Sequence, residues 1–516
     1  MDSSKNVQNY STTYWRDLEL PTFNKLNEDL TVDVTIIGAG ISGITSAYLL
    51  AKEGVKVAII EARSILNGTT AHTTAKLTAQ HILIYDHLIK YFGEEKAKLY
   101  YEFSSNAIPF VENTSREKGI DCDFSRQDAY VYAVTDKYAK NIEKEWTAYQ
   151  KLGIKGNLTD SIPFNLQIKY SIKMVDQAQF HPPKFLRGLL NEAIKMGCRV
   201  FENTMAVELE EDKVGPHVIT KDGYKINCNH VIIATNYPFY DKPGLYSARM
   251  YAQRSYIIGI KTDQEYPGGM YISADTPTRS LRYTPLNEGK LLIIAGGSHK
   301  TGQDINTLKY YNELQDYAEH LFGIRDYSYR WSAQDYITLD RVPYIGPITQ
   351  GKEHILVTTG FNDWGMANGI SSAHLLTDYV LNRDNPYKEV YSPSRFDANP
   401  DLLAALTTNA DVAFHHITSK VKFVSKEPGD LRNGEGSVVT YKGKRAGAYK
   451  DEIGNLCIVD TTCTHCGCEC QWNEAEKSWD CPCHGSRYSY EGDVIDGPGV
   501  QGLNKLESIL DQSEKP

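Results

Sequence analysis

Nowhere does the 516-residue chain hold an apolar run near the roughly 18 to 20 residues needed to cross a bilayer, so a membrane-spanning helix is not expected. Met1 to Leu20 lack the basic start and apolar stretch of a signal peptide, which makes a cytoplasmic location the expectation. Positive charge is in deficit. Lys and Arg number 55 against 65 Asp and Glu, and the net charge of -10 argues against a nucleic-acid-binding surface. With 41% hydrophobic and 23% charged residues, the composition excludes disorder and fibrous architectures, and the length suits about three folding units. Cysteine is scarce over most of the chain, at Cys122, Cys198 and Cys228 only, and then seven fall between Cys457 and Cys483 beside His465 and His484. A disulfide scaffold would spread them out, so the crowding points to a metal centre. Tyrosine is abundant at 35, and beyond amphipathic lining of core and pocket it has no reading from composition.

The first strong element is a βαβ unit. Val34 to Ile37 is a β-branched apolar run, read as a buried strand, and Gly38-x-Gly40-x-x-Gly43 follows it. A helical stretch from Ser42 to Lys52 ends at Gly54, and a second buried strand from Val55 to Ile60 closes at Glu61. The first glycine permits a tight turn, the second lets the backbone approach a pyrophosphate, and the third lets helix and strand pack closely. The helix N-terminus offers N–H groups to phosphates, and Glu61 sits where an acid accepts hydrogen bonds from a ribose. The alternative is a structural glycine-rich turn.

Pro183 to Gly197 reads as a helix of the same layered unit, with buried strands at Val231 to Ala234, Leu291 to Ala295 and Ile355 to Thr358. Polar, Tyr-rich and turn-rich stretches at about 102–171 and 250–330 read as an inserted second subdomain. Residues 383–416, with little apolar periodicity and several Pro turns, read as a linker over the surface. From 417 onward short β-like runs alternate with glycine turns, at Val421 to Val424, Gly436 to Tyr441, Lys444 to Tyr449 and Asn455 to Val459. The domain expectation is therefore 1–31 as an N-terminal extension, 32–382 as the dinucleotide-binding part, and 417–512 as a small all-β part.

Four separated motifs carry a resemblance to the flavin-dependent amine and D-amino-acid oxidase superfamily, which includes glycine oxidase. They are Glu61 to Ala75, Ile232-Ile-Ala-Thr235, Asp340-Arg-Val-Pro-Tyr-Ile-Gly346 and Thr359 to Gly369. The resemblance implies FAD. It implies cofactor contacts from Gly38, Gly40, Ile41, Ser42, Gly43, Glu61, Ala62, Arg63, Thr69, Thr70, His72, Thr73, Val207, Ala234, Thr235, Gly360, Gly365, Met366 and Ala367. In that family the last motif starts a helix whose positive end faces the flavin. Gly68-Thr-Thr-Ala-His72 resembles a context in which some members attach flavin covalently; the other reading of His72 is a hydrogen-bonded polar residue near the phosphates. Arg254, Arg279, Arg282, Tyr251, Tyr256 and Tyr283 fall in the presumed substrate subdomain, where an arginine could pair with a substrate carboxylate. For each arginine the alternative is a solvated surface side chain. His181 and His299 have no motif, and no catalytic base is assigned.

Cys463-Thr-His465-Cys-Gly-Cys468 and Cys481-Pro-Cys483-His484-Gly-Ser486 resemble the two loops of a Rieske [2Fe-2S] domain, with Gly497-Pro498-Gly499 as a third. That resemblance implies Cys463, Cys481, His465 and His484 as iron ligands. It also implies a Cys468–Cys483 disulfide, with Ser486 and Tyr488 donating hydrogen bonds to cluster sulfurs. Cys466 and Cys470 depart from the pattern. The alternative for the four ligands is zinc, although the spacing is not that of a finger.

Together the resemblances imply an α/β FAD-binding, Rossmann-like fold of the glutathione-reductase type, with an inserted α+β substrate subdomain and an all-β Rieske domain. The implied activity is a dehydrogenase that oxidises a small amine or amino acid and passes electrons through the cluster to an external acceptor. Rival readings are an electron-transfer module reduced by a partner and a redox sensor built on the Cys468–Cys483 pair. A Rieske oxygenase would need a mononuclear iron site, for which no helically spaced ligand set is seen.

Overall fold

In the computed structural model of the chain, residues 13–213, 215–304, 306–395 and 426–507 are described. A buried sheet runs Arg199–Phe201, Val57–Ile60, Val34–Ile37, His230–Ile233 and Ile355–Thr359, all parallel, with Tyr344–Pro347 antiparallel at its edge. Both strands of the glycine-rich unit are buried at every position, as a sheet covered on both faces requires. Helix Ile41–Lys52 packs against helix Gly365–Val380, and the closeness depends on Gly369, where a Cβ would lie 2.7 Å from Ile41 Cγ2.

A nine-stranded mixed sheet stands beside the first. Its path is Asp326–Thr338, Met250–Lys261, Lys290–Lys300, Arg279–Pro285, Met270–Ser273, Ser125–Ala133, Tyr170–Gln179 and Lys76–Leu77, with Gly156–Thr159 paired to Tyr170–Gln179. Three expectations are corrected here. Residues 250–330 are strands and one helix, Leu308–Phe322, rather than mostly turns. Leu291 to Ala295 belongs to this sheet and not to the dinucleotide-binding layer. Residues 102–118 lie inside a 34-residue helix, Tyr85–Lys118, broken only at Gly93, where φ is +84°. The sequence of these strands looks polar because tyrosine, arginine, serine and glutamine fill buried positions.

The N-terminal extension is anchored where it is described. Trp15 is fully buried and donates from Nε1 to the Thr73 carbonyl at 2.7 Å, and Leu30–Thr31 pairs with Lys225–Asn227. The start of the expected linker is also docked. Helix Tyr387–Tyr391 buries Tyr391 against Phe103, and Arg395 makes a two-pronged ion pair with the buried Asp340 at 2.7 and 3.1 Å. The rest of that linker and the Val421 to Val424 run lie outside the described residues.

Residues 426–507 form two four-stranded antiparallel sheets, Gly436–Tyr441, Lys444–Lys450, Leu456–Val459, Lys505–Glu507 and Gln471–Asn473, Ser478–Asp480, Arg487–Ser489, Val494–Asp496. This unit nests against the nine-stranded sheet through two glycines in the left-handed region. At Gly302, with φ of +72°, a Cβ would lie 2.7 Å from Pro482 N and 2.8 Å from Cys481 C. At Gly485, with φ of +79°, a Cβ would lie 2.3 Å from Ala252 Cβ. Thr307 donates to Asn473 Oδ1 at 2.7 Å, and the Tyr311 hydroxyl donates to Glu476 Oε1 at 2.8 Å.

A side chain at Gly302 must push the two units apart. Gly302→Val is therefore expected to accelerate amide exchange across residues 480–486 by about tenfold or more, corresponding to about 1.4 kcal/mol of local stability. Hydrogen exchange read by mass spectrometry checks this, and unchanged protection there contradicts the nesting.

Candidate active site and metal centre

A cavity of about 700 Å³ opens at the ends of the parallel strands. The glycine-rich turn forms one wall. Gly38 takes φ of +108°, and a Cβ there would lie 2.5 Å from the Ala234 carbonyl oxygen; a Cβ at Gly43 would lie 2.0 Å from the Gly38 oxygen. Glu61 spans this turn, accepting from Ala39 N at 2.9 Å and Arg63 N at 3.0 Å, and each oxygen keeps a lone pair for a further donor. Thr70 Oγ1 accepts from Ile41 N at 3.0 Å. The N-terminus of helix Gly365–Val380 faces the opposite side through Trp364, Gly365 and Met366, with no side-chain cap. Its positive end suits an anionic group.

Fifteen of the expected cofactor contacts line this one cavity: Gly38, Gly40, Ile41, Ser42, Glu61, Ala62, Arg63, Thr69, Thr70, His72, Thr73, Ala234, Thr235, Gly365 and Met366. Four do not. Gly43 acts in packing, as its clash with Gly38 indicates. Ala367 is buried within its helix. Gly360 holds a left-handed turn against Thr338, where a Cβ would lie 2.3 Å from Cγ2. Val207 points outward on strand Ala206–Glu211 with 37% of its surface exposed, while Ala206, on the other face by strand alternation, lines the cavity. His72 places Nδ1 2.9 Å from the Gly68 carbonyl, and burial lowers its pKa, so the ring is neutral.

The arginines are neither solvated nor in the cavity. Arg282 is buried and donates to the carbonyls of Ala75 and Tyr283 at 2.7 and 2.9 Å. Arg279 pairs with Glu313 at 3.2 Å. Arg254 is buried, donating to Ser332 Oγ at 2.5 Å and Gln334 Oε1 at 3.2 Å. Tyr256 is buried against Tyr310 and Tyr311, and neither it, Tyr251 nor Tyr283 lines the cavity. His181 caps helix Pro182–Lys195, and His299 stacks on Tyr310.

In the C-terminal unit the sulfurs of Cys463, Cys470 and Cys481 lie within 4.8 Å of one another, as do the ligand atoms of His465, Cys466 and His484. Cys468 and Cys483 form a disulfide that ties the two loops together. Hydrogen bonds from Cys470 and then Cys481 lower the pKa of the Cys463 thiol, while the contact with Cys463 raises that of Cys481, so the two thiols share one proton between them. Burial and then His465 lower His484 to about 4, so it is a neutral donor. The buried His465 Nδ1 has no hydrogen-bond partner among the described residues. Tyr488 places its hydroxyl 3.3 Å from Cys463 Sγ, whereas Ser486 Oγ accepts from Gly499 N at 2.9 Å. Cys470, outside the resemblance, stands with these thiols and follows the short bridge between Thr462 and Glu469.

Cavity and cysteine–histidine loops share a wall. Asp496 to Val500 line the cavity directly. Gln334, on strand Asp326–Thr338, donates from Nε2 to the Gly485 carbonyl at 2.8 Å, while its own carbonyl accepts from Thr69 Oγ1 at 2.9 Å. Tyr336 donates to the Gly497 carbonyl at 3.2 Å, and the Tyr237 ring lies 6.3 Å from that of His465. A line of alternating charge crosses the same boundary twice. Arg254 Nε lies 3.8 Å from Asp480, which pairs with Arg487 at 3.1 Å; Arg487 pairs with Asp496 at 3.0 Å, and Asp496 lies 3.9 Å from Arg63. Burial opposes ionisation of Asp480, but Arg487 and Arg254 overcome it and lower its pKa.

Two carboxyl groups on the cavity wall escaped sequence reasoning. Asp335 is buried, accepting from Tyr336 N and Asp363 N at 2.9 and 2.8 Å, and Asp363 accepts from Gln253 Nε2 at 2.8 Å. Burial and then Asp363 raise the Asp335 carboxyl well above the ordinary range, whereas Asp363 itself is exposed. Lys76 was also missed. It lines the cavity, donates to the Tyr271 carbonyl at 2.6 Å, and is pushed toward neutrality by burial and Arg282. Asp363 lies within the Thr359 to Gly369 motif; Asp335 and Lys76 stand on strands of the second sheet with no local signature.

Comparison with known proteins gives both halves a match. A model described as FAD dependent oxidoreductase covers residues 33–379, and one described as Rieske [2Fe-2S] domain covers residues 421–507. A putative Rieske 2Fe-2S iron-sulfur protein of Bacillus subtilis (strain 168), YhfW, is 46% identical over 496 residues, 96% of this chain and 97% of its own. The gamma-glutamylputrescine oxidoreductase of Escherichia coli (strain K12) is 23% identical over 68% of this chain and 83% of its own. Glycine oxidase from Geobacillus kaustophilus shares the fold, with a TM-score of 0.60 at 18% identity over 71% of this chain and 99% of that one.

A carboxyl whose pKa is higher folded than unfolded costs stability as pH rises from its unfolded value, near 4, toward its folded one. Asp335→Asn is therefore expected to gain on the parent protein by about 2 kcal/mol in unfolding free energy between pH 4 and pH 8. Paired thermal melts across that range check the sign; a variant that loses stability relative to the parent as pH rises contradicts it.

Proposed function

The chain belongs to the FAD dependent oxidoreductase family and carries a C-terminal Rieske [2Fe-2S] domain, and from this we propose that it is a dehydrogenase of small amines or amino acids. In this reading the C–N bond of the substrate is oxidised at residues 32–382, and electrons leave through residues 417–512 to an external acceptor. When bound, FAD supplies hydride acceptance and the cluster supplies one-electron transfer.

The residues fit both groups. The bare backbone at Gly38 and Gly40 leaves the turn open to a pyrophosphate, Glu61 has lone pairs for the ribose, and the fifteen lining residues are assigned to FAD. Cys463 and Cys481 are assigned to one iron, and His465 and His484 to the other. The buried, unpartnered His465 Nδ1 is what a metal centre asks of a donor, and the sulfurs of Cys463 and Cys481 stand together.

One observation carries the dehydrogenase reading over that of an oxidase: the C-terminal loops form part of the cavity wall. An oxidase has no use for a metal centre there. Gln334 holds Thr69 with its main chain and Gly485 with its side chain, so a single residue spans from the expected flavin loop to the residue after His484. Asn236 reinforces it by donating to Thr69 Oγ1 at 3.1 Å. These contacts hold the spacing between the halves, which serves electron transfer within one chain. A noncovalent flavin fits the His72 to Gly68 hydrogen bond, and acid precipitation is expected to leave the yellow colour in the supernatant.

The test is an anaerobic titration with primary amines, secondary amines and amino acids, following flavin bleaching optically and the reduced cluster by electron paramagnetic resonance. One compound should bleach the flavin and then raise the cluster signal. If dithionite produces both signals and no amine or amino acid produces either, the proposal fails. Gln334→Leu is expected to delay the cluster signal without altering the bleaching step. Tyr488→Phe removes a hydrogen bond to Cys463 worth about 1 kcal/mol, and is expected to lower the cluster potential by about 40 mV. A redox titration of the two proteins checks that shift.

A further inference from the structure

Lys76 is a buried amine that the proposed oxidation does not use. It stands on strand Lys76–Leu77 with 7% of its surface exposed, and it lines the cavity beside Thr73, Thr74 and Ile272. Among the described residues its side chain makes one hydrogen bond, from Nζ to the Tyr271 carbonyl at 2.6 Å.

A second buried cation adjoins it. The Arg282 guanidinium donates to the carbonyls of Ala75 at 2.7 Å and Phe180 at 3.4 Å, and those two residues flank the paired positions Lys76 and Gln179. Its remaining acceptor is the Tyr283 carbonyl at 2.9 Å. Every partner of both side chains is therefore a main-chain carbonyl, and no carboxylate pairs with either among the described residues. Asp123, which acts on Arg282 at longer range, is held by Lys184 at 2.8 Å. Burial raises the pKa of Tyr266 and Tyr271, so those hydroxyls are neutral and supply no counter-charge.

Two adjacent cations in a dry space without an anion are unstable, and one of them must lose its proton. Arginine keeps its own in proteins, whereas a buried lysine releases one readily. Charge balance thus makes Lys76 the neutral member, and burial followed by the Arg282 charge lowers its pKa accordingly. A neutral amine carries a lone pair. One N–H engages Tyr271, and no described group donates to the nitrogen, so that pair is free to attack. Desolvation and a neighbouring cation are the two devices that turn a lysine into a nucleophile for carbonyl carbon.

Oxidation of a C–N bond leaves an imine, which water converts to an aldehyde or ketone. We propose that Lys76 is a nucleophile for carbonyl compounds and captures the oxidised product in the cavity as a Schiff base. This rests on the dehydrogenase reading above and adds a step after the oxidation. The Nζ lone pair forms the new C–N bond as the carbonyl double bond opens, and the oxygen leaves as water with two hydrogens from Nζ. Where the carbon arrives still as an imine, ammonia or an amine leaves in place of water. Neither route needs an electron donor or acceptor, and hydrolysis returns the free lysine and the carbonyl product.

The test incubates the holoprotein with propanal and sodium cyanoborohydride, which fixes a Schiff base as a propyl-lysine, and locates the modified lysines by peptide mass spectrometry. At about pH 7 Lys76 is expected to exceed exposed lysines in adduct by about tenfold or more. That ratio is expected to fall by about tenfold per unit of rising pH up to about pH 9, because the neutral fraction of an exposed lysine grows by that factor while that of Lys76 is already full. Absence of adduct at Lys76 while exposed lysines acquire it, or a ratio that does not change with pH, would overturn the proposal. The aldehyde is supplied ready made, so this outcome does not depend on whether the protein oxidises an amine. An amine that bleaches the flavin is further expected to leave its own carbon skeleton on Lys76 when the reductant is present, and bleaching without that adduct overturns the capture of product.

Discussion

The line of alternating charge from Arg254 through Asp480, Arg487 and Asp496 to Arg63 is the constraint on which the arrangement depends. Three of these side chains are buried, and a buried charge left without its partner costs on the order of 3–5 kcal/mol. Such a network adds little net stability over an apolar contact of the same shape, since desolvation offsets most of the attraction. What it does is select one register. Only when the second cysteine–histidine loop sits against strand Met250–Lys261 does Asp480 meet Arg254, and only then does Asp496 reach the glycine-rich turn through Arg63. Gln334 and Tyr336 then find the carbonyls of Gly485 and Gly497 at hydrogen-bonding distance, so the polar contacts of the boundary agree with the charges.

Much of the dinucleotide-binding layer was legible in the sequence because its signals are local. Gly38, Gly40, Gly43 and Glu61 lie within one βαβ unit, and the cysteine–histidine loops carry their spacing in two short runs. The nine-stranded sheet was not legible, for two physical reasons. Its buried positions are filled by tyrosines and arginines whose polar ends find partners only in the tertiary structure, as Tyr132 does with Tyr317 at 3.0 Å and Tyr311 with Glu476. Its strands are also contributed from distant parts of the chain, so hydrophobic alternation over a few residues gives no hint that 326–338 lies beside 250–261. This explains much of the excess of tyrosine, a side chain that fills a core while keeping one hydrogen bond.

The candidate site divides along the same line. Backbone-defined contacts, where a glycine or a helix end is required, could be found from motifs. Residues that reach the cavity wall from the second sheet, namely Gln334, Asp335, Tyr336 and Lys76, could not, because nothing near them in sequence marks that their strands border the cavity. Arg254 and Arg282 illustrate the converse. Their residue type invited a substrate role, and burial with carbonyls and carboxylates of the protein gives them a structural one. Val207 was displaced by one strand position, which is enough to reverse its face.

Gly302 and Gly485 touch the opposite unit with backbone where any other residue would place a Cβ, and both hold a left-handed conformation that disfavours one. A boundary built this way has no slack for drift. A Rieske module of different loop shape could not be grafted on without bringing Ala252, Gln334 and Gly302 with it, so the two halves must change together over generations. The pair is in this sense a single heritable part, although each half retains the outline of a separate fold.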